Sequence, residues 1–312
     1  DTKTIYTIHN LRFQGNFTSG SIRSLGYRFD DQYANYMEVG IQYAHKITTV
    51  SETYANEILT DFYGEGLNHI LGMRSQDLSG IVNGIDIDLF DPSTDPALVA
   101  AYSVKTLKKK AQNKLALQEK FGMDVDPDVP MIGIVTRLDS QKGLDLITHV
   151  LEDILYHNNV QFFLLGSGEY EYEQFFQSLR DRYSHKFGIY LGYNGKLANQ
   201  VYAASDMFLM PSLYEPCGLS QLISLRYGTV PIVRETGGLN DTVHAFNEFE
   251  KTGNGFSFTN YNAHDMKHTI DRALEFYANR PADWKKLVKN GMEGDYSWDK
   301  SAQKYLELYQ SM

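Results

Sequence analysis

The sequence predicts an α/β protein whose parallel sheets are covered by helices on both faces, and three observations carry that reading. Short apolar, β-rich runs recur along the chain, amphipathic helical patterns follow most of them, and the runs end in polar or turn-forming residues. A strand buried on both faces reads as a continuous apolar run rather than an alternating one. Strand and helix signals that take turns along a chain indicate a doubly wound parallel sheet.

Taken in order, the strand signals begin with TIYTIH (4–9), then KITTVS (46–51) leading into the helical ETYANEIL, then GIVNGI (80–85). MIGIVTRL (131–138) is followed by the helical LDLITHVLEDILYH, and QFFLLG (161–166) by EYEYEQFFQSLRDRY. GIYLGY (188–193) precedes KLANQVYAAS, and DMFLMPS (206–212) and TVPIVRE (229–235) complete the set. Between the third and fourth strands, DLFDPSTDP (88–96) places Pro92 and Pro96 among turn formers, which predicts a hinge. The stretch after it, SVKTLKKKAQNKLALQEKFG, reads as one or two helices, with Lys108 to Lys110 on a solvated face. Residues 120–290 hold enough strand–helix units for one complete domain, whereas the part before the hinge is too short for a matching one.

Composition narrows the function. Hydrophobic residues make up 42% of the 312 and charged residues 22%, as in ordinary globular chains. The net charge of −10 argues against a nucleic-acid partner, so any anionic ligand must meet locally concentrated Arg and Lys. No apolar run reaches the roughly 18 residues of a membrane span, and the start shows no signal-peptide pattern. The first residues already read as a strand without an initiator Met, so the chain is expected to begin inside a domain. Cys217 is the single cysteine, which excludes an internal disulfide and fits a reducing compartment. No Cys/His spacing suggests zinc.

The strongest local signal is PSLYEPCGLSQLISLRYG (211–228), a strand running through a short loop into a helix that starts near Gly218–Leu219. Free N–H groups at such a start suit phosphate oxygens. Gly218 permits close backbone approach, Ser220 can cap the helix or donate its hydroxyl, and Glu215 can accept from sugar or ribose hydroxyls. On spacing alone the same residues also fit an ordinary strand–loop–helix corner. RETGGLNDTV (234–243), with Thr236, Gly237 and Gly238, reads more often as a tight βα turn than as an anion seat. TRLDSQKGLDLI (136–147) supplies Arg137 and Lys142 beyond a strand end, where two cations can clamp a diphosphate and stabilise a departing one. Both corners fall at carboxyl ends of strands, where such sheets bind ligands, and that coincidence favours the functional reading. LLGSG (164–168) completes no dinucleotide fingerprint. Tyr193 could stack on a base, and His9 with Asn10 ends the first strand.

These motifs match a known family. TIHNLRFQG, KITTVSETYANEI, GIVNGIDIDLFDPSTDP, TRLDSQKGLDL, PSLYEPCGLSQL, RETGGLNDTV and the terminal DYSWDKSAQKYLELY resemble, in order and over nearly the whole chain, the bacterial glycogen synthase and plant starch synthase family. EPCGLSQL is the most specific of them. Related retaining transferases carry a second Glu eight residues after the first; here that position is Ile223, as in the glycogen-synthase version. The resemblance implies a GT-B architecture of two Rossmann-like doubly wound domains facing a deep cleft. Residues 1–90 would be the later part of the acceptor-side domain, only partly present. Residues 91–290 would be the nucleotide-sugar domain, and 291–312 a helix crossing back to the first.

It implies transfer of glucose from ADP-glucose to the non-reducing end of an α-1,4-glucan. Arg137 and Lys142 would bind the diphosphate and stabilise the leaving ADP, with Glu215 beside the reacting carbon. Cys217, Gly218, Leu219 and Ser220 would contact sugar or phosphate. Tyr193 would pack on adenine, His9 would approach the sugar from the opposite domain, and Asn83 would be a further cleft residue. No metal or cofactor is expected, no membrane or nucleic acid is a partner, and the location is the cytoplasm, or the plastid in a plant. The family's Lys-x-Gly-Gly-Leu loop has no counterpart before TIYTIHN, and Gly15 to Met37 is shorter than the usual connection. The chain is therefore expected to have little or no activity while still binding ADP. The alternatives are a transferase using UDP-glucose, a non-catalytic nucleotide- or glucan-binding remnant and, more weakly, a glucan phosphorylase.

Overall fold

The computed structural model describes residues 2–18, 20 and 33–312. They pack as two compact units, Asp1–Asn83 with Ser301–Met312, and Gly84–Lys300. Part of the Gly15 to Met37 connection lies outside the described residues.

In the smaller unit, β1 (Ile5–Ile8), β4 (Lys46–Thr49) and β5 (Leu78–Gly80) form a parallel sheet in the order β1-β4-β5. β2 (Asn16–Thr18) and β3 (Tyr33–Asn35) form a separate antiparallel pair. Helices α1 (Tyr36–Tyr43), α2 (Glu52–Glu57) and α3 (Asn68–Met73) complete the unit. Ile8, Ile41, Ile47, Tyr54 and Leu71 share one core. Ser51 caps α2 by accepting from the Tyr54 amide at 3.0 Å, which ends the strand and starts the helix within three residues. The third strand lies earlier than the apolar run GIVNGI suggested. Pairing with β4 covers only Leu78 to Gly80, and Ile85 instead bridges Ser297 in the larger unit.

The larger unit holds α4 (Lys110–Phe121), β6 (Met131–Val135), α5 (Leu144–His157), β7 (Gln161–Gly166), α6 (Tyr170–Arg182) and β8 (Phe187–Leu191). It continues with α7 (Gly195–Ala204), β9 (Met207–Met210), α8 (Ser220–Arg226), β10 (Val230–Arg234) and α9 (Gly237–Thr242). Then come β11 (Phe256–Phe258), α10 (Ala263–Asn279) and α11 (Pro281–Met292). The terminal helix α12 (Trp298–Gln310) runs on into the Ser301–Met312 segment, where Ser301 donates to the Val82 carbonyl at 2.5 Å. The six strands are all parallel in the order β11-β10-β9-β6-β7-β8. Every residue of β7 is buried, as its unbroken apolar run requires. α5 buries Leu144, Ile147, Leu151 and Ile154 at helical spacing against that sheet.

Strand order fixes where a ligand can enter this sheet. The chain builds β6, β7 and β8 outward in one direction, then returns to lay β9, β10 and β11 on the other side of β6. The reversal leaves a crevice between the carboxyl ends of β6 and β9.

Lys108 and Lys109 are exposed as expected, and the departure from a solvated face begins at Lys110. α4 buries Lys110, Asn113, Lys114, Leu117 and Gln118, a largely polar stripe. Each polar group there satisfies main-chain atoms. Lys110 donates to the Tyr202 and Ala203 carbonyls at 3.1 and 2.7 Å and to the Thr229 hydroxyl at 2.9 Å. Lys114 pairs with Asp206 at 2.6 Å and donates to two carbonyls. Hydrogen bonds hold most of this face down, and Leu117 adds apolar contact.

Burial pushes the Lys110 ammonium down to about 7, with Asp206 opposing that shift and Lys114 adding to it. An unfolded lysine titrates near 10.4, so between those values the unfolded chain binds more protons and stability rises with pH. Urea unfolding of the wild type and Lys110→Met should therefore diverge in the wild type's favour from pH 7 to 9. Parallel curves over that interval would show that burial does not weaken the hold of Lys110 on its proton.

Candidate active site

At the reversal point, the loop after β6 and the loop after β9 lie against each other. The Leu213 amide donates to the Gln141 carbonyl at 2.9 Å, and the Gln141 side chain donates to the Tyr214 carbonyl at 3.2 Å. Gly143 sits at φ +72, and a Cβ there would stand 2.1 Å from the Pro211 carbonyl oxygen. Only glycine permits that approach and that backbone at once. The third corner is equally tight: a Cβ on Gly237 or Gly238 would stand 1.9 Å from the carbonyl oxygen of Glu215 or Cys217 respectively. The Gly238 amide donates to the Glu215 carbonyl at 3.0 Å. Arg234, at the end of β10, donates to the Leu213 carbonyl at 2.7 Å and stacks its guanidinium on Tyr261 at 5.6 Å.

This packing brings the Lys142 ammonium to 2.7 Å from the Glu215 carboxylate, and the Ser212 hydroxyl donates to the same oxygen at 3.0 Å. Both charged side chains are mostly buried. They line a cavity of about 120 Å³ together with Thr136, Gly218, Leu219 and Ser220. An ammonium carries three donors, and Glu215 takes one, so Lys142 keeps capacity for anionic oxygens in that cavity. Among the described residues no cluster of three His, Cys, Asp or Glu side chains is placed to hold a metal ion.

The expected residues divide into four groups. Lys142, Glu215, Gly218, Leu219 and Ser220 come together in the cavity. Ser220 does not cap α8; Leu219 holds the cap position without a side-chain bond. Cys217, Thr236, Gly237 and Gly238 are buried behind the Glu215 loop and support it from the back. Arg137 follows Thr136 but does not line the cavity; it is 60% exposed, 3.4 Å from Asp139 and 3.5 Å from Gln141. Tyr193, 93% exposed, follows β8 at the same sheet edge without lining the cavity. His9 and Asn83 belong to the smaller unit, where each follows the carboxyl end of a strand, β1 and β5. Ser212, Gln141 and Arg234 are functional candidates that sequence reading missed. Their signal would have been a polar side chain in a glycine-rich loop, which is too common to single out.

Known proteins share this arrangement of sequence and structure. The family model "Starch synthase catalytic domain" matches residues 1–73, and "Glycosyl transferases group 1" matches residues 117–291. Glycogen synthase of Bacillus cereus is 52% identical over 321 residues, covering 99% of this chain and 67% of its own length. Glycogen synthase of Clostridium novyi is also 52% identical, covering 99% of this chain and 66% of its own. The chain thus spans about two thirds of the length of these curated relatives. Among solved structures, the catalytic domain of starch synthase IV from Arabidopsis thaliana bound to ADP and acarbose superposes with a TM-score of 0.92. It is 35% identical, covering 99% of this chain and 66% of that one. HepE of Anabaena in complex with UDP and glucose, at 15% identity and a TM-score of 0.64 over 99% of this chain and 71% of its own, shares the fold alone.

Gly143→Ala tests the loop packing directly. The added methyl must displace the Pro211 carbonyl in a backbone unfavourable to alanine, so a loss of about 1–3 kcal/mol is expected. An unchanged urea midpoint would show that the two loops do not depend on this contact.

Proposed function

We propose a function from the premise that this chain belongs to the glycogen synthase and starch synthase family, and so has the α/β, GT-B type of fold. The proposed reaction moves glucose from a nucleotide sugar, ADP-glucose, to the 4-hydroxyl at the non-reducing end of an α-1,4-glucan, with retention at the anomeric carbon. The Lys142–Glu215 corner carries this reading. It sits where the strand order reverses, at the carboxyl edge of a parallel sheet, and it offers an ammonium, a carboxylate and a glycine turn to one cavity.

In this reading the bond from the glucose anomeric carbon to the diphosphate oxygen breaks while the bond to the acceptor oxygen forms. Negative charge grows on the leaving diphosphate. Lys142 answers that charge from inside the cavity and Arg137 would swing to it from the exposed loop after β6, so both act more strongly in the transition state than before it. Glu215 stands beside the carbon as positive charge develops on the sugar. Its second duty is to hold Lys142 in place, with Ser212 fixing the shared oxygen. Attack from the leaving-group face lets a phosphate oxygen take the acceptor's proton, which closes the proton balance without a protein nucleophile. The backbone turn at Gly218 and Leu219 gives phosphate or sugar oxygens close access. Tyr193 offers a ring for the adenine, and His9 and Asn83 are proposed as sugar-contacting groups.

The ADP found in the Arabidopsis structure supports an adenine nucleotide over a uridine one. Calorimetric titration with ADP should show Lys142→Ala binding at least about tenfold more weakly, the scale of a lost charge-assisted contact. Whatever glucan elongation from ADP-glucose the chain supports should fall by about 100- to 1000-fold in the same variant. Unchanged ADP affinity and turnover in Lys142→Ala would refute the assignment, and preference for UDP-glucose in a competition assay would refute the donor.

A further inference from the structure

A second cavity, of about 220 Å³, opens at the opposite edge of the same six-stranded sheet. Asp206, Gly228 and Pro127, which line it, stand just before the amino ends of β9, β10 and β6, away from the Lys142–Glu215 corner. Its lining is strongly one-signed. Lys108, Lys110 and Lys114 reach it from one side and Lys285 of α11 from the other, against the single carboxylate of Asp206. That carboxylate is already held by Lys114 at 2.6 Å. Lys110 is buried and bonded only to neutral acceptors, two carbonyls and a hydroxyl. Lys108 and Lys285 are exposed at the mouth and have no ion-pair partner among the described residues. A chain of net charge −10 has thus gathered four lysines around one concavity, two of them exposed and without an ion-pair partner at its mouth.

The other wall is aromatic. Tyr277 and Trp284 meet edge to face with ring centroids 5.2 Å apart, and Val288 continues the apolar surface. A water occupies about 30 Å³ of liquid, so the space suits a small organic anion better than a lone ion or a polymer. Lysine is a strong point-charge binder of phosphate.

We propose that this cavity is a binding site for a small phosphate monoester, with Lys108 and Lys285 holding the phosphoryl group at the mouth and Trp284 and Tyr277 packing against its organic part. Below them Lys114 is paired with Asp206 and burial weakens the hold of Lys110 on its proton, so the binding charge comes from the mouth. Asp126 and Asp128 flank Pro127 and act on Tyr277 through their charge, but neither lines the cavity. The site is independent of the nucleotide corner and does not rest on the function proposed for it.

Trp284 gives a direct readout, because the chain has only Trp284 and Trp298. In Trp298→Phe, titration with inorganic phosphate or a hexose monophosphate should change Trp284 emission saturably. Chloride at matched ionic strength and the uncharged hexose should not. Tighter binding of the hexose monophosphate identifies the organic wall as part of the site, whereas equal binding overturns that half of the proposal. Lys108→Ala with Lys285→Ala should weaken the response at least about tenfold. Lys142→Ala should leave it intact, which separates this site from the nucleotide corner. Thermal shift on the chain with both tryptophans repeats the measurement if Trp298→Phe folds poorly. A response equal with chloride, unaltered by the double lysine variant, or lost in Lys142→Ala overturns the proposal.

Discussion

The larger unit depends on backbone contact between three loops at one sheet edge. Gly143 lies against the Pro211 carbonyl, Gly237 against that of Glu215 and Gly238 against that of Cys217. None of these contacts leaves room for a side chain, so the loops after β6, β9 and β10 behave as one layer. The charged pair is a consequence of that layer. Lys142 and Glu215 are 73 positions apart, and no local preference could hold their atoms 2.7 Å from each other. A partly buried ion pair is weak evidence of stability in itself, since desolvation offsets most of its attraction. Its value here is positional: an ammonium fixed by Glu215 loses little freedom when an anion arrives.

The parallel sheet gives that layer its place. In β9-β6-β7 the chain continues from β6 and from β9 in opposite directions along the sheet, so the loops that leave them meet at the reversal point before parting. The crevice they leave is open at the carboxyl edge and closed below by strands that are buried on both faces. Gln141 and Arg234 then tie the carbonyls of residues 213 and 214, which would otherwise be unsatisfied in a loop this crowded. Polar side chains from neighbouring loops thus do for the Glu215 loop what a ladder of hydrogen bonds does for a strand.

Much of the fold was legible because buried parallel strands leave unbroken apolar runs. QFFLLG gives β7 residue for residue, and LDLITHVLEDILYH gives α5. Short elements were not legible in the same way. β11 has three residues and takes its register from β10, and the β2–β3 pair has no apolar run at all. GIVNGI misled because apolar residues after β5 are buried by packing rather than by strand pairing. At the site, the residue types and the strand ends were legible from the motifs. The contact between Lys142 and Glu215 was not, because it depends on which strands are neighbours.

α4 shows the limit of charge patterning most clearly. A run of three lysines in a helical stretch reads as solvated because charged groups are rarely buried. Yet Lys110 reaches two carbonyls at the carboxyl end of α7, and the hydroxyl of Thr229 before β10. Cationic groups are favoured near helix carboxyl ends, where the last carbonyls lack partners. The lysine supplies those partners from another helix, so burial is tolerated where the sequence alone forbids it. The same substitution of side-chain donors for missing main-chain ones operates at both edges of the sheet. Gln141 and Arg234 do it at the carboxyl edge, and Lys110 and Lys114 at the amino edge. Polar residues whose partners are distant main-chain atoms therefore decide how both ends of this sheet are finished, and periodicity carries no trace of them.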